Sequence, residues 1–311
     1  MAIERARIRE LQKPWGVTDP RPWTMPAPSG SAIGEICYER ASAGAAEPAL
    51  LLKILLTSQP LSIQVHPDDA FARSIGLPHG KTEAWHVLGA QPGAAVAVGL
   101  KQTVTQTDLR QAVGDGSIAD LVSWRTIGCG DTVSVPAGTI HAIGPGLVIA
   151  EIQQRSDTTF RLFDHGRDRE LHIEHGLAVA HATPAGAEPQ PETLANGRTL
   201  LAANPHFVFE RLELEPDSSW RLDASRESWL VVLCGSARVG SLDLARGEAV
   251  FAETERVELR SGPAGVVCLV AYTGRGGPNQ DLLCRLDVPS PPPPRPRKDA
   301  TAPATPIGAT P

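Results

Sequence analysis

Gly130-Asp-Thr-Val-Ser-Val-Pro136-Ala-Gly138-Thr-Ile-His141-Ala-Ile-Gly144 is the stretch on which the reading of this chain turns. From Thr132 to Val135 polar and apolar side chains alternate, the period of a strand with one buried face. Pro136 fixes one backbone angle and Gly138 admits a left-handed one, so together they make a tight turn. The turn sets His141 down at the start of the next short strand. Between glycine-rich turns a core histidine would be out of place, and His141 reads as a metal ligand.

The same two-residue period recurs on either side. In Leu61-Ser-Ile-Gln-Val-His66 the apolar Leu61, Ile63 and Val65 share one strand face, and Ser62, Gln64 and His66 share the other. Pro67 ends that strand, and Asp68 can cap a short helix. In Lys81-Thr-Glu-Ala-Trp85, Lys81, Glu83 and Trp85 fall on one face. A lysine two residues from a glutamate is ordinarily a surface pair, yet tryptophan seldom sits on a solvated face. Glu151-Ile-Gln-Gln-Arg-Ser-Asp157 runs from a strand into a polar turn, with Arg161 and Asp164 close behind. An arginine and a carboxylate there suit an anionic substrate or make a structural ion pair, and the spacing leaves both readings open.

Short strands punctuated by glycine and proline fill the chain from about Leu50 to Phe163 and resume after about Phe207, in Phe207–Leu214, Ser228–Cys234, Ala249–Ala252 and Gly265–Tyr272. Helices are expected at Thr107–Val113, capped by Thr107, and from Glu170 to about Ala180. Pro184–Asn196, rich in Pro, Ala and Glu, reads as a linker. The coarse reading is two β barrels or sandwiches in series. Beyond them, residues 289–311 hold nine prolines in 23 positions, including Pro291–Pro294, and read as a disordered or polyproline II tail.

Charge and composition exclude several classes. With 29 Lys+Arg against 35 Asp+Glu the formal charge is −6, unlike the basic face that nucleic acid demands. The longest apolar runs, around Leu50–Leu56 and Leu230–Cys234, fall far short of the ~18 residues of a membrane span. The start has no apolar run of the secretory kind. Five cysteines with no CxxC pair do not make a disulfide framework. Cys234 and Cys268, set in apolar runs, are expected to be buried and inert. These features place the chain in the cytoplasm, with no nucleic-acid or membrane partner.

In order along the chain stand Gln64-Val-His66-Pro67-Asp68, Lys81-x-Glu83, Pro136-Ala-Gly138-Thr-x-His141 and Glu151-Ile-Gln-x-x-Ser156-Asp157-x-x-x-Arg161, preceded by Lys13-Pro-Trp-Gly16 and Leu52-Lys53-Ile-Leu55. This series resembles the type I mannose-6-phosphate isomerases (phosphomannose isomerases) in their short bacterial form, over roughly residues 10–180. The His141 segment is similar to the second signature motif of the cupin superfamily. Three positions depart from the pattern: Pro145 replaces a trailing Asn, Cys37 a Trp, and Phe160 a Tyr.

The resemblance implies a mainly β chain of two cupin-like β-barrel or jelly-roll domains with a few short helices. Residues 1–183 would be the metal-binding catalytic domain, 184–198 a linker, 199–288 a second cupin-like domain without metal ligands, and 289–311 the tail. It implies one zinc ion per chain on Gln64, His66, Glu83 and His141, a set without cysteine that suits a catalytic site. The implied reaction interconverts mannose 6-phosphate and fructose 6-phosphate through an enediol. Arg161 would stabilise developing charge or bind phosphate, and Lys81 would be a base or a phosphate clamp. Asp157 or a zinc-bound hydroxide would be the base, and Ser62 would join Lys81 and Arg161 in binding the substrate. A phosphosugar is the implied partner, and the protein a monomer or homodimer. The competing readings are an iron-dependent dioxygenase on His66, Glu83 and His141, and a sugar-phosphate-binding regulatory module.

Overall fold

The structure, a computed structural model, describes residues 3–286 except 28, 43, 45, 189, 275 and 276. The proline-rich tail lies outside the described residues. The fold is mainly β, with three antiparallel sheets and four short helices among the described residues. No described helix is long and apolar enough to cross a membrane.

Two of the sheets form a sandwich that holds all the sequence motifs. The six-stranded sheet runs in the order Arg7–Val17, Ile33–Glu39, Leu50–Leu56, Leu147–Gln154, Glu83–Ala90, Thr132–Val135. The five-stranded sheet runs Phe160–Phe163, Ile63–Val65, His141–Ile143, Ala95–Leu100, Val122–Thr126. Period-two alternation gives each sheet two different faces. Between the sheets, Leu55, Trp85, Val87, Val133 and Ile149 of the first meet Val96, Val98 and Ile143 of the second. The outer face of the five-stranded sheet, with Ile63, Val65, Ile140 and Ala142, is covered by Leu109, Val113 and Leu177 from two helices.

The third sheet has ten strands, most of them from the C-terminal half, and wraps a second core of Val208, Leu212, Trp220, Val232 and Tyr272. The chain also starts in this sheet, because Ile3–Arg5 pairs with Ala249–Ala252. The outer face of the six-stranded sheet packs against it. Ile36, Tyr38, Leu52 and Ile54 there share one cluster with Phe207, Phe209, Trp229 and Phe251. The Tyr38 hydroxyl donates to the Gly247 carbonyl at 2.8 Å across that boundary.

Several expectations are corrected in detail. The helix expected at Thr107–Val113 spans Gln106–Asp115, and its cap is Thr105, whose Oγ1 accepts the Asp108 N–H at 3.1 Å. Thr107 lies within the first turn, where its side chain cannot reach that donor. The second helix spans Ile173–Val179. Residues 170–172 lie outside it, and the His172 N–H is taken by the Arg161 carbonyl at 2.8 Å. The stretch read as a linker includes a short strand, Glu192–Thr193, paired with Arg198–Ala203. Leu61 precedes its strand and packs between the two sheets, away from Ile63 and Val65. Cys268 is buried, but Cys234 is exposed. Leu233 follows Trp229 and Val231 into the shared core by ordinary alternation, and Cys234, past a register shift between Val232 and Cys234, is turned out.

Thr105→Ala should cost about 1 kcal/mol of stability in a denaturant titration, and Thr107→Ala less than about 0.5 kcal/mol.

Candidate active site

Each of the two facing sheets sends polar side chains into the sandwich at one end, where a cavity of about 560 Å³ opens. From the five-stranded sheet come Gln64 and His141, which are directly opposite in register, with His66 just beyond the Gln64 strand. From the six-stranded sheet come Glu83, Lys53 and Glu151. Glu151 stands opposite Lys53 on one side and Trp85 on the other. The turn that carries His141 is tight: Gly138 has φ +84°, and a Cβ there would stand 2.6 Å from the His181 ring.

His66, Glu83 and His141 are all buried, and their ligand atoms lie within 4.8 Å of one another. Nε2 of His66 is 3.5 Å from Glu83 Oε2, and Nε2 of His141 is 3.4 Å from Glu83 Oε1. Each imidazole has its other nitrogen on a backbone carbonyl: Nδ1 of His66 on Thr158 at 2.9 Å, and Nδ1 of His141 on Thr139 at 2.9 Å. A carbonyl can only accept, so the ring proton sits on Nδ1 and the Nε2 lone pair faces Glu83. Burial, with Lys81 adding to it, lowers the His66 pKa to about 3, so that ring is neutral. Burial would raise the Glu83 pKa, but the Lys81 ammonium outweighs it and holds the carboxyl well below its usual range.

Gln64 Nε2 stands 3.2 Å from His141 Nε2, and Ser62 Oγ donates to Gln64 Oε1 at 2.9 Å. Lys81 Nζ is 3.0 Å from Glu83 Oε2 and 3.2 Å from His66 Nε2. Apart from the Lys81 ammonium at Oε2, Glu83 has no strong donor, and its Oε1 has His141 Nε2 at 3.4 Å. Two neutral imidazoles, a buried carboxylate and an adjacent carboxamide are a donor set that fits a divalent cation.

Beside this group lies a set of charges that sequence reasoning missed. Lys53, 6% exposed, stands 3.7 Å from Glu35, 4.0 Å from Glu151 and 3.4 Å from Asp157. Burial would lower its pKa, but Glu35 and Glu151 outweigh that and hold the ammonium above the usual lysine value. Glu151 is buried with Oε1 on the Trp85 indole N–H at 3.1 Å. Burial first, and then Glu83, push its pKa up to about 7. The signal in the sequence was a single charge inside an apolar run, Leu50-Leu-Leu-Lys-Ile-Leu-Leu56 and Leu147-Val-Ile-Ala-Glu-Ile152.

Asp157 and Arg161 line the same cavity as Ser62, Gln64, Lys81 and Glu83. The Asp157 side chain is 77% exposed and held by Lys53. Arg161 lies opposite Gln64, and its Nε donates to the Glu170 carbonyl at 2.9 Å. Arg169 and His172 also line this end of the cavity, outside every motif singled out in the sequence. Of the two departures near the site, Cys37 is buried opposite Lys53, and burial pushes its thiol up to about 11. Phe160 stacks on His175, with ring centroids 5.3 Å apart.

The chain is similar to known isomerases. It is 38% identical over 204 residues, 61% of its own length and 62% of the relative's, to a mannose-6-phosphate isomerase from Streptococcus mutans. It is 39% identical over 137 residues to the mannose-6-phosphate isomerase ManA of Bacillus subtilis, covering 43% of that protein. The matched stretch thus spans less than two thirds of these curated relatives. No family model matches the chain. The crystal structure of the mannose 6-phosphate isomerase from Bacillus subtilis superposes with a TM-score of 0.74 at 21% identity, over 88% of this chain and all of that one. A variant of phosphomannose isomerase from Salmonella typhimurium gives 0.69 at 14% identity over 88% of this chain. The fold is therefore shared with these enzymes across both β units.

Lys53→Met should destabilise the chain by about 3 kcal/mol or more in a denaturant titration, because Glu35 and Glu151 lose their buried cation. Asp157→Asn, at an exposed partner of the same lysine, should cost less than about 1 kcal/mol.

Proposed function

We propose that this chain is a zinc-dependent aldose–ketose isomerase that interconverts mannose 6-phosphate and fructose 6-phosphate. The observation that carries this reading is the buried Glu83 carboxylate, with Lys81 as its one close cation, set between the Nε2 atoms of two buried imidazoles beside a cavity rich in cations. The similarity to mannose-6-phosphate isomerases supports it. Five cysteines, none of them in a disulfide, fit a reducing compartment such as the cytoplasm.

His66, Glu83 and His141 would hold the ion, with Gln64 beside them. When bound, zinc supplies a Lewis acid for the carbonyl oxygen and for the charge that develops as C2 and C1 exchange a proton. Lys81 now provides the positive charge that Glu83 requires. Were an ion to take that role, the Lys81 ammonium would be free to hydrogen-bond the substrate oxygens.

We assign the proton transfer to Glu151 rather than to Asp157. Glu151 lies inside the cavity with one oxygen fixed by Trp85. Asp157 lies in solvent at the rim, with its charge committed to Lys53. A general base must be oriented on the reacting carbon and shielded from water, which only the first arrangement offers. The cations Lys53, Lys81 and Arg161 suit an anionic sugar and have no part in dioxygen chemistry, which disfavours the iron-dependent reading.

In a coupled assay of mannose 6-phosphate isomerisation, a chelator should abolish activity and zinc should restore it. His141→Ala should lose both bound metal and turnover; full activity with an equivalent of metal would sink the zinc assignment. Glu151→Gln should lower kcat by about a hundredfold or more, with Asp157→Asn within about threefold of wild type. The reverse order would return the base to Asp157.

A further inference from the structure

A second cavity, of about 450 Å³, lies between the two β units, within the range of roughly 300–1,000 Å³ usual for small-molecule sites. It opens on the face of the six-stranded sheet turned away from Glu83. Along the strand Glu83–Ala90, Trp85 and Val87 point with Glu83 between the two sheets of the sandwich, while Ala84, His86 and Leu88 point toward the third sheet. Against His86 and Leu88 the second unit sets Leu201, Leu233 and Val267, with Arg211 and Arg246 beside them.

The lining is graded in depth. Trp23, His86 and Leu201 are buried, whereas Arg246, Cys129 and Cys234 are exposed, so a mostly apolar floor leads up to a mouth that carries a cation and two thiols. His86 is 4% exposed; its Nδ1 is bound to Thr132 Oγ1 at 3.0 Å, and its Nε2 has no partner among the described residues. Burial, followed by the charge of Arg211, lowers its pKa to about 4, so the ring is neutral and offers the cavity one donor or one acceptor. A polar atom left open so deep in the molecule calls for a partner.

The charge of the lining is one-sided. No carboxylate lines the cavity among the described residues. The carboxylates nearby are committed: Asp131 accepts the Gly128 N–H at 2.8 Å, Glu248 pairs with Arg5, and Glu213, 66% exposed, reaches Arg211 at 2.8 Å. The Arg246 guanidinium lies over the Trp23 ring, 5.0 Å from its centroid, with no carboxylate within ion-pair distance among the described residues. Stacking occupies the face of a guanidinium and leaves its N–H edge free.

We infer that this cavity is a second ligand site, for a small organic anion with an apolar body. The body lies against Leu88, Leu201, Leu233 and Val267, and a polar atom on it meets His86 Nε2. The anionic group takes the free edge of Arg246, with Arg211 adding its charge. His86 and Arg246 thereby gain the partners that the chain does not supply. The site is independent of the isomerase reading, since none of its residues lines the catalytic cavity.

The test uses the full chain, 8-anilinonaphthalene-1-sulfonate as the probe, and the chain's own thiols as reporters of place. Cys129 and Cys234 lie at the mouth, and Cys284 is exposed away from it. By fluorescence the probe should bind one site saturably. At about ten times its Kd, mass action leaves about a tenth of the sites free, and alkylation of Cys129 and Cys234 by N-ethylmaleimide should slow about fivefold or more, with Cys284 unchanged. Arg246→Gln, on an exposed side chain, should raise Kd about tenfold with the thermal midpoint unchanged, the loss of one charge-assisted hydrogen bond. Arg246→Lys should recover part of that loss. Saturable binding with both thiols as reactive as in the free chain overturns the inference. An unchanged Kd in Arg246→Gln does the same, as does the absence of saturation up to about 1 mM.

Discussion

Glu83 is a carboxylate with 1% of its surface exposed, and the arrangement around it answers the cost of burying that charge. An uncompensated ion in a protein interior costs several kcal/mol even after relaxation. Here the compensation on the chain is partial: one ammonium at 3.0 Å from Oε2, and two imidazoles at 3.4 and 3.5 Å that present lone pairs instead of protons. The carbonyls of Thr158 and Thr139 enforce that choice, because each claims the proton of one ring. A fold that wanted only to neutralise Glu83 would have left those protons facing inward. Fixing them outward keeps three acceptors turned toward one point, which is the electrostatic definition of a cation site.

The sandwich divides the labour between its sheets. To the cluster around Glu83 the five-stranded sheet contributes neutral groups, Gln64 and His141, on short strands next to turns, its one charge in the cavity being Arg161 on the edge strand. The six-stranded sheet contributes the charges, Lys53, Glu83 and Glu151, on longer strands whose other faces are Ile54, Ala84 and Ile152. Those apolar faces are pressed against the third sheet through Phe207, Phe209 and Trp229. The third sheet therefore supports the site without touching it: it gives the charged strands a rigid backing, so the carboxylates cannot escape to solvent by bending outward.

What could be read from the sequence follows from period two. Alternation assigns faces wherever a strand is regular, and so it placed Gln64 with His66, Glu83 with Trp85, and Leu109 with Val113 by the helical counterpart. It fails wherever the partner across the sheet decides. Lys53 and Glu151 each sit singly in an apolar run, and only the register that sets one opposite the other shows that both are buried as a pair. Cys234 follows an apolar run but is turned out by a register shift that no single strand encodes. His172 was read as part of a helix because its neighbours are helical, yet the edge of the Arg161 strand captures its N–H first. The cap was misread although its signal was present: Thr105-x-x-Asp108 is a capping pattern, whereas Thr107 has Arg110 three residues on and no acidic partner.

The second β unit shows by contrast why the first needs an ion. It too buries a carboxylate, Glu210, with none of its surface exposed. There Arg198 approaches with two parallel hydrogen bonds of 2.8 and 2.9 Å, and the Tyr272 hydroxyl adds a third at 2.6 Å. Arg198 in turn donates to the carbonyls of Asn279 and Gln280, so that the pair ties that segment to the sheet. Every demand of that carboxylate is met by the chain itself, and a bound ion would have nothing to add. Glu83 differs in what surrounds it more than in how deeply it is buried. Its neighbours are acceptors with their protons turned away, and its one cation, Lys81, is shared with His66. The same architecture thus holds one carboxylate that is structurally complete and one that is left open. The open one lines the cavity.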